Sequence, residues 1–308
     1  MSEFKIGHYT NLNAGTGCTV IVCPEGTKAS ACARGIAPGT REFALLSPFR
    51  KVEEIDGLLL TGGSAFGLDA AAGVMRYFAE QGRGHDTPFR KIPIVPAAVI
   101  YDLYMINSES FPVAEDAYGA CQQARSGNMM QGNVGVGTGA TVGKWAGLEY
   151  AMKGGLGLAR VEFNGIWVET LTVTNSVGDV IDGEGKILAG ARKNGKFLAA
   201  DDPKIRWLPR EEIRDMNTVL AAVMTNVNLT KSQLYYLAER AHNGIVRTIL
   251  PAHTSFDGDV VFALSRGERP VQIDLITEMA VEATGQAIMS GVRAAESLGG
   301  AEGLKTIS

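Results

Sequence analysis

Asp215-Met216-Asn217-Thr218-Val219-Leu220-Ala221-Ala222-Val223-Met224 is the stretch on which the reading of this chain turns. Its uninterrupted apolar part reads as a strand buried on both faces. A hydroxyl residue, Thr218, opens that strand directly behind Asn217. Threonine gains little there as a generic strand residue. It gains much if the Asn217–Thr218 bond is cut, because Thr218 then carries a hydroxyl nucleophile and a free α-amine together. An α-amine titrates at roughly 7.7–8, so it can act as the base for its own hydroxyl. The competing reading is a chance Asn-Thr pair at a strand start.

Upstream, residues 191–217 are dense in charge and contain Pro203 and Pro209. They read as an exposed linker leading to the candidate scissile bond, or as a plain surface excursion with a helical turn. Other short β-branched runs, at 18–22, 57–61, 171–174 and 260–264, read as further buried strands. Helical spacing marks 69–81, 113–125 and 273–298, and Thr230-Lys231-Ser232-Gln233 has the form of a capping box ahead of a helix reaching Ile249. Strands and helices interleave without strict alternation, which favours an α/β (α+β) architecture of mixed sheets flanked by helices over one doubly wound parallel sheet.

With 308 residues, 45% hydrophobic and 20% charged, the chain can bury a substantial core. A net charge of −4 implies no nucleic-acid partner and no anionic membrane surface. The start, Met1-Ser2-Glu3-Phe4-Lys5, has no apolar signal core, and no run approaches the roughly 18 apolar residues of a membrane helix. Cys18, Cys23, Cys32 and Cys121 form no Cys-x-x-Cys pair, so free buried thiols in a reducing cytoplasm are expected.

Four further stretches carry possible chemistry. Residues 132–144 mimic nucleotide signatures, but no strand precedes them, Thr138 stands where a phosphate loop needs Gly, and Trp145 stands where it needs Ser or Thr. What survives is an NH-rich loop presenting Lys144, as a functional group or a surface cation. Gly62-Gly63-Ser64 lies at a strand-to-helix turn whose N–H groups suit an anion or oxyanion, or serve tight packing. Asp257-Gly258-Asp259 could hold a base, an ammonium or a metal, or be a simple Asp-Gly turn. Asn175 ends a strand as a turn residue or a positioned amide. His8, His85, His242 and His253 show no zinc spacing, and no Ser/His/Asp set stands out.

Taken together, these residues resemble a known family: the self-processing aminopeptidases and nylon-oligomer hydrolases. It includes the β-peptidyl aminopeptidases, the L-aminopeptidase/D-esterase type and the endo-type 6-aminohexanoate-oligomer hydrolase. The resemblance runs in order through Arg34-Gly35-Ile36-Ala37-Pro38-Gly39-Thr40-Arg41, Leu60-Thr61-Gly62-Gly63-Ser64, Ala98-Val99-Ile100-Tyr101-Asp102 and Gly139-Ala140-Thr141-Val142-Gly143-Lys144. It continues through Val173-Thr174-Asn175-Ser176-Val177-Gly178, Asn217-Thr218, Met224-Thr225-Asn226 and His253-Thr254-Ser255-Phe256-Asp257-Gly258-Asp259.

The resemblance implies a single four-layer αββα domain of the N-terminal-nucleophile type. It implies autocleavage between Asn217 and Thr218, giving fragments 1–217 and 218–308, of 217 and 91 residues. It further implies Thr218 as nucleophile, Tyr101, Lys144 and Asn175 lining the site, and Asp257 and Asp259 beside the new N-terminus. In that scheme Asp259 or Asp257 takes the Thr218 proton, Lys144 and Asn175 hold the oxyanion, and no metal or cofactor takes part. The family assembles as homo-oligomers, here expected to be a tetramer of processed units. Thr after Asn, where the aminopeptidase branch has Ser after Gly, points to the nylon-oligomer branch and to linear amide substrates. A free-amine aminopeptidase or D-amino-acid esterase-amidase is the nearest alternative, and an unprocessed small-molecule binding protein is one from another class.

Overall fold

A computed structural model describes residues 3–306 and places ten strands in two five-stranded sheets. In the first sheet the order is Lys5–Asn11, Thr16–Val22, Gly57–Thr61, Ala97–Val99, Thr40–Arg41. In the second it is Lys28–Ala33, Val260–Arg269, Thr218–Val227, Ile166–Asn175, Gly155–Phe163. Both sheets are mixed: Gly57–Thr61 runs parallel to Ala97–Val99, and Thr218–Val227 runs parallel to Val260–Arg269 but antiparallel to Ile166–Asn175.

Side-chain alternation along the strands produces the layers. Leu220, Ala222 and Met224, with Phe262 of the adjacent strand, face the other sheet, where they meet Ile21, Leu58 and Leu60. Their neighbours Val219, Ala221 and Val223 face Leu234, Leu237, Ala241 and Ile276 on the helices Lys231–Thr248 and Ile273–Ala294. On the outer face of the first sheet, Val20 and Leu59 pack with Val74, Phe78 and Ala117 of the helices Ala71–Glu80 and Ala114–Gln122. Helix, sheet, sheet, helix: the αββα sandwich is present.

Local expectations hold with shifted ends. Thr230 accepts from Gln233 N at 3.3 Å while Gln233 Oε1 accepts from Thr230 N at 2.9 Å, the reciprocal cap that starts Lys231–Thr248. The helices expected at 113–125 and 273–298 end earlier, at Gln122 and Ala294. The strands Lys5–Asn11, Lys28–Ala33 and Gly155–Phe163 carry no strong run of β-branched residues and are set by their partners. Glycine content has a packing cause in Gly157, where a Cβ would stand 1.9 Å from the Ala287 carbonyl oxygen of the last helix. All four cysteines are free and buried. Among the described residues no helix is long and apolar enough to cross a membrane.

The stretch 191–217 is mostly exposed but not loose. It forms a small hairpin, Arg192–Lys193 with Lys196–Phe197, and two 3₁₀ turns, and it is pinned by Ala199, Arg206 and Ile213. Arg206 Nε lies 2.6 Å from Asp179 Oδ2, and Asp179 Oδ1 also accepts from Trp145 Nε1 and Ala191 N, both at 2.9 Å. Fully buried between the sheets, Phe262 is expected to cost about 3–5 kcal/mol when cut to Ala. The same change at Phe89, 99% exposed, is expected to stay within about 0.5 kcal/mol. Denaturant melts of the two variants check this, and equal losses would contradict the layer assignment.

Candidate active site

Three strand ends converge where the polar and apolar segments meet. Thr218 begins its strand opposite Asn175, the last residue of the neighbouring antiparallel strand. On the other side Asn217 bridges Asp257 in parallel register, just ahead of Val260–Arg269. The Asn217 carbonyl oxygen therefore receives the Gly258 N–H at 2.8 Å and the Thr218 hydroxyl at 2.6 Å. Gly258 is needed there: a Cβ would stand 2.5 Å from the Ala37 carbonyl oxygen and 3.0 Å from Thr218 Oγ1. Both Asn217 and Thr218 are buried.

The carboxylates flank this bond. Asp259 Oδ1 accepts from Val219 N at 2.6 Å, and its Oδ2 is 2.7 Å from His253 Nδ1. Asp257 Oδ2 accepts from both the backbone N and the hydroxyl of Thr254, at 2.8 and 2.7 Å. Burial pushes the Asp257 carboxyl up to about 7, and the nearby charge of Asp259 adds to this.

Lys144 is the expectation most changed by the fold. The loop 132–144 is not a flexible surface excursion: from Gly135 to Lys144 every residue is buried, and Lys144 is no surface cation. Its Nζ donates to Asn175 Oδ1 at 2.7 Å, to Asn175 O at 3.1 Å and to Met216 O at 2.9 Å. Burial holds its pKa well below the ordinary lysine range, against the pull of Asp257. Asn175 Nδ2 donates to the same Met216 carbonyl at 3.1 Å and to Tyr101 O at 3.3 Å. In the uncut chain Lys144 and Asn175 thus hold the carbonyl one residue upstream of the expected scissile one. The donor on the Asn217 carbonyl itself is Gly258 N–H, because the parallel register delivers that backbone group.

Tyr101 contributes its carbonyl and stacks its ring on Tyr104 at 6.1 Å. Tyr104 is the phenol in the network: its hydroxyl donates to Asn175 Oδ1 at 3.1 Å and lies 2.6 Å from Thr141 Oγ1. Sequence reasoning missed Tyr104, although it lies only three residues after Tyr101. It also missed His253, which opens a quoted motif without an assigned role.

The turn Gly62-Gly63-Ser64 does not offer an open oxyanion cradle. Gly62 N donates to Gly17 O, Ser64 N to Ile100 O, and Gly63 N to Asp102 Oδ1 at 2.7 Å. The anion this turn holds is the chain's own Asp102, which Thr16 also serves at 2.8 Å. Burial raises that carboxyl to about 6. Behind it, Lys153 is wholly buried, donates to the carbonyls of Gly137, Thr138 and Ala140, and is lowered by burial to about 7.

The raised carboxyls set a sign for stability. Asp257 keeps its proton in the folded chain up to about 7, against 3.8 ordinarily. Between those values the native state binds more protons than the unfolded one, so stability falls as pH rises through that window. Asp102 acts with the same sign over a narrower range, up to about 6. Asp257→Asn is expected to flatten the decline in melting temperature between about pH 4 and 7; identical profiles for the two proteins would contradict the assignment.

Peptidase family S58 is described by a family model that matches residues 2–306. An uncharacterized aminopeptidase of Mycobacterium leprae is 37% identical over 332 positions, spanning 97% of this chain and 91% of that protein. A 6-aminohexanoate-oligomer endohydrolase of Paenarthrobacter ureafaciens is 31% identical over 271 positions, 85% of this chain and 71% of that protein. Among solved structures, the L-aminopeptidase D-Ala-esterase/amidase of Ochrobactrum anthropi superposes with a TM-score of 0.72 at 20% identity, over 97% of this chain and 86% of that one. The beta-aminopeptidase of a Burkholderia species gives 0.71 at 19%, over 99% and 89%. At such identities the structural likeness speaks to fold alone, and the Ochrobactrum protein is described as a variant of the Ntn hydrolase fold. With a family match from end to end and an Ntn-hydrolase sandwich to carry it, the chain belongs to peptidase family S58 and is a hydrolase of amide bonds.

Proposed function

We propose that this hydrolase is made by its own cleavage at Asn217–Thr218 and then works with Thr218 as an N-terminal nucleophile. The supporting observation is the contact between the Thr218 hydroxyl and the Asn217 carbonyl oxygen, 2.6 Å, on a carbonyl already polarised by Gly258 N–H. In the first reaction the hydroxyl oxygen attacks the Asn217 carbonyl carbon and the Thr218 nitrogen leaves, an N-to-O acyl shift. Asp257, titrating near 7, suits the proton transfer; Asp259 is tied through both oxygens and suits orientation. Water then hydrolyses the ester and leaves fragments of 217 and 91 residues.

In the second reaction the freed Thr218 amine activates the same hydroxyl against a substrate amide. When Met216 moves away, Lys144 Nζ and Asn175 Nδ2 lose the acceptor they share and become donors for a substrate carbonyl oxygen in its place. No metal or cofactor enters this scheme.

Two substrate classes fit. Linear amides such as 6-aminohexanoate oligomers follow from the endohydrolase relative and from threonine as the nucleophile. Short free-amine peptides follow from the mycobacterial aminopeptidase relative, the more similar of the two. A homo-oligomer, a tetramer of processed units, and a cytoplasmic setting for the four free thiols complete the reading.

Thr218→Ala is expected to remain a single 32.7 kDa chain without amidase activity. Intact mass and a panel of free-amine and N-blocked amides check this, and two fragments or turnover from that variant would contradict it. Lys144→Met is expected to slow turnover roughly 10²–10³-fold, the usual loss for one oxyanion donor; unchanged kinetics would remove Lys144 from the site.

A further inference from the structure

We infer that His253 is a positioning residue for the nucleophile, acting through Asp259. This rests on the function proposed above and adds a group to it. Asp259 is 1% exposed, and its two carboxylate oxygens have different partners. Oδ1 takes the N–H of Val219, the residue after the nucleophile, at 2.6 Å. Oδ2 is 2.7 Å from His253 Nδ1. Its backbone carbonyl is fixed separately by Arg34 N at 3.0 Å and Gly35 N at 3.3 Å. With the backbone fixed, the remaining freedom is rotation of the carboxylate, and the His253 donor removes it.

The histidine is itself built in. Its backbone sits at φ 55, a left-handed conformation that side chains other than Gly, Asn and Asp seldom adopt. Its ring meets His242 edge-on, with centroids 4.8 Å apart and planes at 73°. His242 in turn is anchored through Nε2 to Cys32 O at 3.0 Å, on a strand paired to Val260–Arg269. The chain of contacts Cys32 carbonyl, His242, His253, Asp259, Val219 N–H therefore ties the helix Lys231–Thr248 to the head of the nucleophile strand. His253 bonds neither Thr218 nor the Asn217 carbonyl, so its effect is on geometry. Without its Nδ1 donor, Oδ2 is a buried carboxylate oxygen lacking that bond, and the carboxylate turns away from Val219.

The test uses two substitutions that both tolerate a left-handed backbone but differ in the donor. His253→Gly removes it; His253→Asn places its amide N–H near the position of Nδ1. For full-length proteins we expect His253→Gly to self-cleave and turn over at least about tenfold more slowly, with KM within about twofold. His253→Asn is expected to recover to within about threefold of the parent, and free imidazole to restore part of the rate of His253→Gly. Parent-like kcat in His253→Gly, or a His253→Asn as slow as the glycine variant, overturns the assignment. Thr218→Ala, run alongside, separates the two claims: turnover in that variant sinks the nucleophile reading itself. A silent Thr218→Ala beside a fully active His253→Gly sinks only the role of His253.

Discussion

The register of one buried strand governs the rest of the molecule. Thr218–Val227 is hydrogen-bonded on both edges and covered on both faces, so a slip by one residue would exchange Leu220 and Met224 with Val219 and Val223 between unlike layers. That penalty locks the strand head. Asn175 is then obliged to stand opposite Thr218, and Asp257 beside Asn217. From those two pairings come the Gly258 N–H on the Asn217 carbonyl, the Asp259 contact with Val219 N–H, and the donors gathered on Met216 O. The chemistry is a consequence of sheet register, and individual side chains refine it.

Polarity in the sandwich is organised around two buried lysines. Each serves backbone carbonyls: Lys153 those of residues 137, 138 and 140, and Lys144 those of 175 and 216. Burying two ammonium groups is costly unless they are paired or neutralised. Here carboxylates lie within reach of both, Asp102 acting on Lys153 and Asp257 on Lys144, and burial drives all four groups toward their uncharged forms. Asp257, titrating near 7 beside the Asn217–Thr218 bond, lies in the range that general acid–base chemistry uses. The same carbonyl contacts make the loop 135–144 rigid, which fixes Thr141 and Lys144 against Asn175.

Much of this could be read along the chain because it is local. The apolar run behind Thr218, the Thr230–Gln233 cap, the paired aspartates and the alternation that builds the layers all depend on near neighbours. Other features are properties of tertiary placement. Nothing in Gly132 to Lys144 distinguishes a buried lysine from a surface one until two sheets close over it. Gly62-Gly63-Ser64 reads in sequence as a turn for an anion or for tight packing, and only the fold shows that its Gly63 N–H meets the chain's own Asp102. Tyr104 and Tyr101 look equivalent in sequence; the strand end at Val99 and the stacking of the rings decide which hydroxyl reaches Asn175. His253 carries no spacing signal, since its partner His242 lies on a helix and its role passes through Asp259.

The most direct measurement is to trap the acyl-enzyme. Active protein is mixed with a slowly hydrolysed amide or ester, quenched in acid and mapped by peptide mass. The account requires an acyl group in ester linkage to the hydroxyl of Thr218, on a fragment whose first residue is Thr218 with a free amine. An adduct on any other side chain, or full turnover by a chain in which Thr218 is still joined to Asn217, would contradict it.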